Sequence, residues 1–476
     1  MPDLATFAVD DGFSYSVPEG MEPSIGSIVR IPLGGRRVRG WITALRDGDT
    51  EGLKALIGIS GARPIFTEEL LSTLRWAAVH YVSPLAPLLA KAGPPNLPKV
   101  GRVKLGPADD ISSASTGEAA TSNELAGLIA AGKRPPLSFL SGPGPWLETA
   151  GSIARAAAST DRSTLIVVPT AADCHRYADE LERHFGKRVV AGTSAVAAAD
   201  RTRAWSQAAG SPGTVVVGTP EVALWPVAQL AVALVVEEGR RSMKSRQSPT
   251  LHVRELLRRR SAVERFGLVF AGHIPTLELL ASGTQYRPDG SRDWPLVEVI
   301  DRTQEPPSSG LVAEGTRGAV AGAISRHEPA FVFVSRRGYA PATRCTECGE
   351  LRRCPQCGSN PGRGATCERC DHRNGPCTTC GGASFVPVGA AVGRVIEELK
   401  RQHGTAVSGA GQGGLVQVGT ERDIPRAGSV ALSVVVDADS MLLRPHYRAE
   451  EDTLRIVARV ASAVRRGRGH RCVVQT

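Results

Sequence analysis

The chain has 476 residues, 42% of them hydrophobic, with 57 lysines and arginines against 47 aspartates and glutamates, a formal charge of +10. That much apolar material fills two or three domain cores, while no apolar run reaches bilayer-spanning length and the opening MPDLATFAVDDGFSY has neither the basic start nor the apolar stretch of a secretory signal. A soluble cytoplasmic protein with no membrane partner is expected, and the cationic excess favours a polyanion such as nucleic acid as partner.

The first predicted elements are β-rich. SIVRIPLGGRRVRGWIT, Ser27 to Thr43, has two short β-branched runs about Gly34 and Gly35, which read as a hairpin turn carrying Arg36, Arg37 and Arg39. A helix is expected over Thr67 to Tyr81, with Thr67 as N-cap and Glu68 and Glu69 in its first turn. The small, polar stretch Gly106 to Pro136 reads mainly as a linker, with a domain boundary near Val100.

From Leu137 strands alternate with helices, the pattern of a parallel sheet covered on both faces. The predicted strands are Leu137 to Leu140, Thr164 to Pro169, Thr214 to Thr219, Val232 to Glu238 and Gly267 to Gly272. A second set, Phe331 to Ser335, Gly414 to Thr420, Val430 to Asp439 and Cys472 to Thr476, predicts a second α/β lobe. Between its first strand and its next helix, GRVIEELKRQ, lies an insertion.

That insertion holds eight of the ten cysteines as four CxxC pairs between Cys345 and Cys380. Zinc takes four tetrahedral ligands, and a CxxC knuckle offers two thiolates from one tight turn whose amides also donate to sulfur. Eight thiolates therefore suit two closed, structural zinc sites. Gly349, Gly358 and Gly381 follow three pairs and Asp371 the fourth, as expected where the chain turns to positive φ. His372 reads as a solvated neighbour. A reducing compartment disfavours disulfides, iron–sulfur clusters usually use other spacings, and a redox CxxC normally stands alone. Three pairings of intact knuckles are possible, and spacing does not choose among them.

With the basic β-domain, the α/β lobe, RRGYAP at Arg336 to Pro341, the four CxxC pairs, LVQVGT and DADSMLLRPHYRAEE in this order, the chain resembles the bacterial primosomal protein N′ family, the PriA replication restart proteins, from about Phe7 to the last residue. The resemblance implies two RecA-like parallel-sheet lobes of the P-loop NTPase fold, a β-rich N-terminal DNA-binding domain and an inserted zinc module. It implies a 3′-DNA-end-binding domain over 1–100, a linker over 101–136, lobe 1 over 137–300, the start of lobe 2 over 301–344, the zinc module over 345–382 and the rest of lobe 2 over 383–476. It also implies a nested pairing, with Cys345, Cys348, Cys377 and Cys380 on one zinc ion and Cys354, Cys357, Cys367 and Cys370 on the other. The stretch IGSIVRIPLGGRRVRGWIT and the YVSPL turn are similar to the family's module for the 3′ end of a nascent strand, which makes Arg36, Arg37, Arg39 and Tyr81 the DNA-binding candidates. Implied partners are branched DNA, primosome proteins, the replicative helicase and its loader, and single-stranded DNA-binding protein, in the nucleoid.

The motor motifs depart from the family pattern. A P-loop needs a glycine-rich turn followed by Lys and Ser or Thr, because amides cradle the phosphates, Lys counters their charge and the hydroxyl binds magnesium. The corresponding turn here, SGPGPWLET, keeps Gly142 and Gly144 but has no Lys, and Pro143 and Pro145 remove amide donors. Lys133 precedes the strand and is no substitute. The acid box is reduced to Glu237 and Glu238 followed by Gly239 and Arg240; AGHIPT, Ala271 to Thr276, stands for a Ser-Ala-Thr-type motif; and Arg465, Arg466 and Arg468 stand near the arginine-finger position. A replication restart scaffold without ATPase activity is therefore expected, binding two zinc ions but not ATP and magnesium, with Gly142, Gly144, Glu237 and Glu238 marking a degenerate nucleotide site. The alternatives are an active 3′–5′ helicase with an unorthodox nucleotide site and a zinc-ribbon adaptor that binds proteins. The linker is too short for the family's winged helix and the sequence ends where the family's C-terminal domain would begin, so the fork contacts of those parts are not expected.

Further cationic runs are RRSMKSR at Arg240 to Arg246, RELLRRR at Arg254 to Arg260, Arg344, Arg352 and Arg353 beside the cysteines, and RRGRGHR at Arg465 to Arg471. They suit phosphate contacts, though RELLRRR fits a solvated helix face equally well. Cys174 beside His175 reads as structural because adjacent helical residues do not face each other, and Asp437 and Asp439 read as turn caps at a strand end.

Overall fold

Two parallel β-sheets organise the chain, and the strands at their centres are its continuous β-branched runs. The computed structural model describes residues 1–96, 120–144, 146–288, 294–303, 305, 310–335, 342–358, 361, 366–367, 370–388, 391–442 and 447–476. The chain divides into two units, Met1–Gly290 and Ser291–Thr476.

The first unit opens with a three-stranded antiparallel sheet of β1 (Ile28–Leu33), β2 (Arg36–Trp41) and β3 (Gly58–Ser60) in the order β2-β1-β3. Its β1–β2 turn is Gly34 and Gly35 at φ 58° and 74°, the left-handed pair that a two-residue turn between twisted strands requires. Helix α1 (Glu68–His80) starts where the Thr67 hydroxyl accepts the Leu70 amide at 3.2 Å, and α2 (Leu85–Ala92) follows. These helices do not close a separate core. Leu70, Leu74 and Leu88 belong to the same apolar cluster as Trp205, Val222 and Met243, and the Trp205 indole donates to the Ala92 carbonyl at 2.8 Å.

Part of the expected linker lies outside the described residues, but its later part forms α3 (Ala120–Ala130), which buries Leu125 and Ile129 with Leu140, Ile153 and Ala157. The α/β part then runs β4 (Ser138–Ser141), α4 (Trp146–Ala158), β5 (Ser163–Val167), α5 (Ala171–Phe185), β6 (Val189–Gly192), α6 (Ala198–Gly210), β7 (Val215–Gly218), β8 (Leu230–Val236), α7 (Val253–Glu264), β9 (Gly267–Gly272), α8 (Leu277–Ala281) and β10 (Gln285–Pro288). The order is β10-β4-β9-β8-β5-β7-β6, with every neighbouring pair parallel.

The second unit contains β11 (Leu296–Ile300), α9 (Glu314–Ser325), β12 (Ala330–Val334), a ribbon of β13 (Ala342–Cys345) and β14 (Phe385–Val388), α10 (Val392–His403), β15 (Val407–Gly409), β16 (Val416–Gly419), β17 (Leu432–Val436), α11 (Asp439–Leu442), α12 (Ala449–Ser462) and β18 (Arg471–Gln475). Its parallel sheet has the order β11-β18-β17-β12-β16-β15, and the ribbon stands outside it as the base of the cysteine insertion. One expected boundary shifts: β11 pairs with β18, so Leu296–Ile300 belong to the second lobe and not to the first. Among the described residues, no helix is long and apolar enough to cross a membrane.

Helix α7 carries the RELLRRR run, which is neither a solvated face nor a phosphate-binding face throughout. Arg254 and Arg260 are buried, Arg258 is half-buried and Arg259 is exposed. The Arg260 guanidinium donates to both carboxylate oxygens of Glu264 at 2.5 and 3.1 Å and to the Ala223 carbonyl at 2.8 Å. Truncating one partner of such a buried pair leaves the other without its counter-charge. Arg260→Ala is therefore expected to destabilise the first unit by roughly 3 kcal/mol, read from chemical unfolding of the variant beside the unaltered protein.

Candidate metal centres and nucleic-acid interface

Each CxxC knuckle folds in the same way. The residue four after the first cysteine donates its amide back to that cysteine's carbonyl: Gly349 to Cys345 at 3.1 Å, Gly358 to Cys354 at 2.8 Å, Asp371 to Cys367 at 2.9 Å and Gly381 to Cys377 at 2.9 Å. All four donors have positive φ, between 58° and 80°, as their place after the second cysteine predicts. In each knuckle the first cysteine is buried and the second is more open.

The knuckles meet in two groups. The sulfurs of Cys345, Cys348, Cys377 and Cys380 lie within 4.8 Å of one another, and so do those of Cys354, Cys357, Cys367 and Cys370. Closest approaches run between knuckles: Cys345 to Cys380 at 3.4 Å and Cys348 to Cys377 at 3.6 Å in the first group, Cys354 to Cys370 at 3.6 Å and Cys357 to Cys367 at 3.7 Å in the second. A tetrahedron with zinc–sulfur bonds of about 2.3 Å has edges of about 3.8 Å, so both groups fit a four-thiolate zinc ion closely. The grouping is nested, with the first and last knuckles in the outer cluster and the two middle knuckles in the inner one. Amides of Cys380 and Thr379 donating to the Cys377 sulfur hold its thiol down to about 6, in the thiolate form that a metal requires. Cys380, although the Gly382 amide donates to it, is pushed up to about 12 by the neighbouring thiols of Cys348 and Cys345, because four adjacent sulfurs do not all ionise without a cation.

The outer cluster also fastens the module's base. Cys345 is the last residue of β13 and pairs in register with Phe385 of β14. Over the Phe385 ring lies the Arg352 guanidinium, 4.1 Å from the centroid, and it donates to the Gly375 carbonyl at 2.7 Å. Arg352 thus braces the module internally, whereas Arg344 and Arg353 are exposed. RRGYAP lies outside the described residues, as do Leu443 to His446 of the DADSMLLRPHYRAEE stretch.

The hairpin places its arginines on two faces. Arg37 and Arg39 of β2 lie opposite Pro32 and Arg30 of β1, so Arg30, Arg37 and Arg39 share one face, and Arg36 falls on the other beside the turn. That other face packs Val29, Ile31 and Val38 with Leu56, Tyr15 and Met21. Arg30 was not among the residues singled out from sequence, although the two-residue turn fixes its pairing with Arg39. Like charges directly opposite across a ladder are unfavourable, and an anion above the face relieves them. The Arg39 guanidinium lies 5.6 Å from the Trp41 ring centroid. Burial pushes the nearby Asp3 carboxyl up in spite of the pull of Arg39. Tyr81 follows α1, half-buried, where its hydroxyl accepts the His252 amide at 3.0 Å and burial pushes its phenol up. That contact ties the N-terminal helices to the start of α7.

The residues expected at a nucleotide site lie at the carboxyl ends of three neighbouring strands, β4, β9 and β8, where open α/β sheets bind ligands. After β4 the chain turns through Gly142 and Gly144, and the indole of Trp146, 5% exposed, folds back beside the turn. A Cβ on Gly144 would lie 3.5 Å from its Nε1. The ring meets His273 edge to face at 6.5 Å. Both acid-box carboxylates have protein partners. Glu237, at φ 57°, accepts the His273 amide at 3.1 Å and lies 2.5 Å from its Nδ1. Glu238, 1% exposed, accepts from Arg254 at 3.1 Å and from the Thr276 amide at 2.9 Å. Arg254 also donates to the Thr276 hydroxyl at 2.7 Å and to Glu255 at 2.8 Å. Burial pushes the Glu255 carboxyl up, but Arg254 and Arg258 together hold it below its ordinary value. The Arg240 guanidinium is 3.7 Å from Asp173 in the first turn of α5, and its amide donates to the Glu237 carbonyl at 3.0 Å. Near the expected arginine-finger position, Arg465 pairs with Glu328 at 3.4 Å, and Arg466 and Arg468 are exposed.

The residues read as structural have structural surroundings. The Cys174 thiol is buried against the Val217 carbonyl at 3.5 Å and pushed up to about 11 by burial, while His175 is exposed. Asp437, at φ 60°, accepts the Ser440 amide at 3.3 Å and the Ser440 hydroxyl, the turn-capping role expected of it.

Residues 3–94, which contain the hairpin, α1 and α2, match the family described as the PriA 3′DNA-binding domain (3′BD). Along 97% of its length the chain is 26% identical to the probable replication restart protein PriA of Mycobacterium tuberculosis (strain CDC 1551 / Oshkosh), covering 77% of that protein. Replication restart protein PriA of Bacillus subtilis (strain 168) is 23% identical over 66% of the chain and 44% of the relative. Among solved structures, RecG bound to a three-way DNA junction aligns over 86% of this chain and 48% of that one at 11% identity and a TM-score of 0.42. With a PriA-type 3′DNA-binding domain at residues 3–94 and similarity to these proteins along most of its length, the chain is a relative of the PriA replication restart proteins.

Proposed function

We propose that the protein binds abandoned or stalled replication forks and supports reloading of the replicative helicase as a scaffold, without a motor of its own. The observation that carries this reading is the pairing of a basic 3′BD-type hairpin with a phosphate turn that has lost its chemistry. Ser141 to Thr149 offers no Lys, two prolines in place of amide donors, and an indole against Gly144. Glu238 is neutralised by Arg254 and accepts the Thr276 amide, and Glu237 accepts the His273 amide, so both acid-box carboxylates are engaged by protein. Loss of one phosphate-stabilising group alone typically costs about two to three orders of magnitude in rate. Primosome proteins, the helicase loader and single-stranded DNA-binding protein are the proposed partners at the fork.

The hairpin face of Arg30, Arg37 and Arg39 is the proposed phosphate contact, with Arg36 on the opposite face beside the turn. Forks with a free 3′ end should bind more tightly than blunt duplex at moderate salt. Replacing Arg30, Arg37 and Arg39 together with alanine is expected to lower the slope of log affinity against log salt by roughly 2 to 3. Arg36→Ala should change it by less than about 1. Equal affinity for the two DNAs in a titration of labelled substrate would count against the reading.

ATP should neither be hydrolysed in the presence of fork DNA nor shift fork affinity. Phosphate release above the no-protein blank, abolished by Glu238→Gln, would instead establish a working motor.

Two zinc ions per chain are proposed, one in each cysteine cluster. Elemental analysis of purified protein should return two. The nested grouping gives a further test by double substitution: Cys348→Ser with Cys380→Ser should remove one zinc ion, and Cys348→Ser with Cys357→Ser should remove both.

A further inference from the structure

The two clusters differ in how their ligands meet solvent. In the outer cluster Cys345 and Cys377 are buried but Cys348 and Cys380 are exposed; in the inner cluster Cys354 and Cys367 are buried and Cys357 and Cys370 are only partly open. An oxidant reaches a sulfur in proportion to its thiolate character and its exposure. In a four-thiolate site every sulfur is a thiolate, so exposure decides. Each exposed sulfur of the outer cluster also has a buried partner across the knuckle pair, Cys377 at 3.6 Å from Cys348 and Cys345 at 3.4 Å from Cys380.

We propose that Cys348 and Cys380 form a peroxide-sensitive modification site, through which the outer cluster releases its metal before the inner one. A peroxide converts the Cys348 thiolate to a sulfenic acid, an OH group passing to sulfur as the O–O bond breaks and hydroxide leaves. The facing Cys377 thiolate attacks that sulfur, forms the S–S bond and expels a second hydroxide. Two thiolates thus supply two electrons to one peroxide, and the metal, having lost two of its four ligands, departs. Cys380 and Cys345 offer the equivalent pair.

The consequence follows from where the outer cluster sits. Its knuckles lie at the two ends of the insertion, and Cys345 is part of the ribbon that joins the module to the second lobe. Losing the outer ion frees the module's base, whereas the inner ion holds the two middle knuckles, sixteen residues apart at their furthest cysteines, Cys354 and Cys370. Thiol reductant and zinc reverse the change, since a disulfide stands on the reversible part of the oxidation ladder.

The inference rests on the proposed zinc occupancy, which elemental analysis of untreated protein tests separately. The experiment treats the full chain, loaded with two zinc ions, with graded hydrogen peroxide in the presence of a colorimetric zinc indicator. Parallel samples are trapped with a sulfenate-specific reagent and mapped by peptide mass spectrometry. One ion should be released at least about fivefold faster than the other, with the trap on Cys348 and Cys380 at early times, and reductant with added zinc should restore two ions. Release of both ions together, or labelling of Cys357 or Cys370 first, would overturn the proposal. In Cys348→Ser with Cys380→Ser, the remaining ion should leave at the slow rate; departure at the fast rate would overturn it equally.

Discussion

The cysteine insertion depends on its sulfurs, with the Arg352 brace and the β13–β14 ribbon beside them. None of its described residues from Thr346 to Gly382 belongs to any of the apolar clusters that fill the two lobes. A segment this small buries too little surface to offset its own conformational entropy, so cross-links must supply the difference. Thiolate–metal bonds are suited to that task because the free energy of binding is itself folding free energy. The four repeated turns show how the chain prepares for them: a carbonyl-to-amide closure, a left-handed residue and amides aimed at sulfur place eight ligands at tetrahedral spacing. The same constraint makes the more exposed ligands of the outer cluster the module's weak point.

Charge placement in the first unit obeys a related rule. A carboxylate withdrawn from water needs a cation or several donors, and Glu238 obtains both from Arg254 and the Thr276 amide. This pair connects the end of β8, the start of α7 and the turn after β9. Because the His252 amide, two residues before Arg254, donates to Tyr81, the N-terminal helices are fixed to the same framework. A shared core with Trp205 and Met243 makes that attachment firm, so the hairpin is presented on a rigid body. Stiff presentation matters for a phosphate-reading surface, where three guanidiniums must hold their spacing while repelling one another.

What was legible in the sequence divides along a physical line. Strands at sheet centres, such as β8 and β17, are buried on both faces and appear as uninterrupted β-branched runs, so they were predictable to within two or three residues at each end. Within the two lobe sheets, the strands that went unrecognised, β6, β10, β11 and β15, are the four edges. Edges are short or solvated on one side, as in β11, where Leu296, Val297 and Val299 are exposed, and their composition carries less of the burial signal. Helix α3 was hidden in a polar stretch because its anchors are few, Leu125 and Ile129 with Ala126 packed beside them. At the candidate site, knuckle geometry was legible from spacing and turn chemistry, whereas the grouping of knuckles depends on long-range closure, which no local pattern encodes. Arg30 was available in principle, since a two-residue glycine turn sets the register that brings it opposite Arg39.

Cationic runs are the least legible feature, and α7 shows why. Lys and Arg outnumber acidic residues, yet an arginine's role depends on which side of the helix it occupies. Arg254 neutralises the buried Glu238 and the buried Arg260 neutralises the half-buried Glu264, while Arg258 and Arg259 reach the surface and line a pocket of about 360 Å³ together with Arg134 and Trp76. A helix turning about 100° per residue distributes one run among core, rim and solvent. The hairpin does the opposite. Its period of two gathers Arg37 and Arg39 with Arg30 onto a single face. Net charge therefore overstates the first kind of run and understates the second, and the sheet register of three arginines says more about a polyanionic partner than the whole chain's +10.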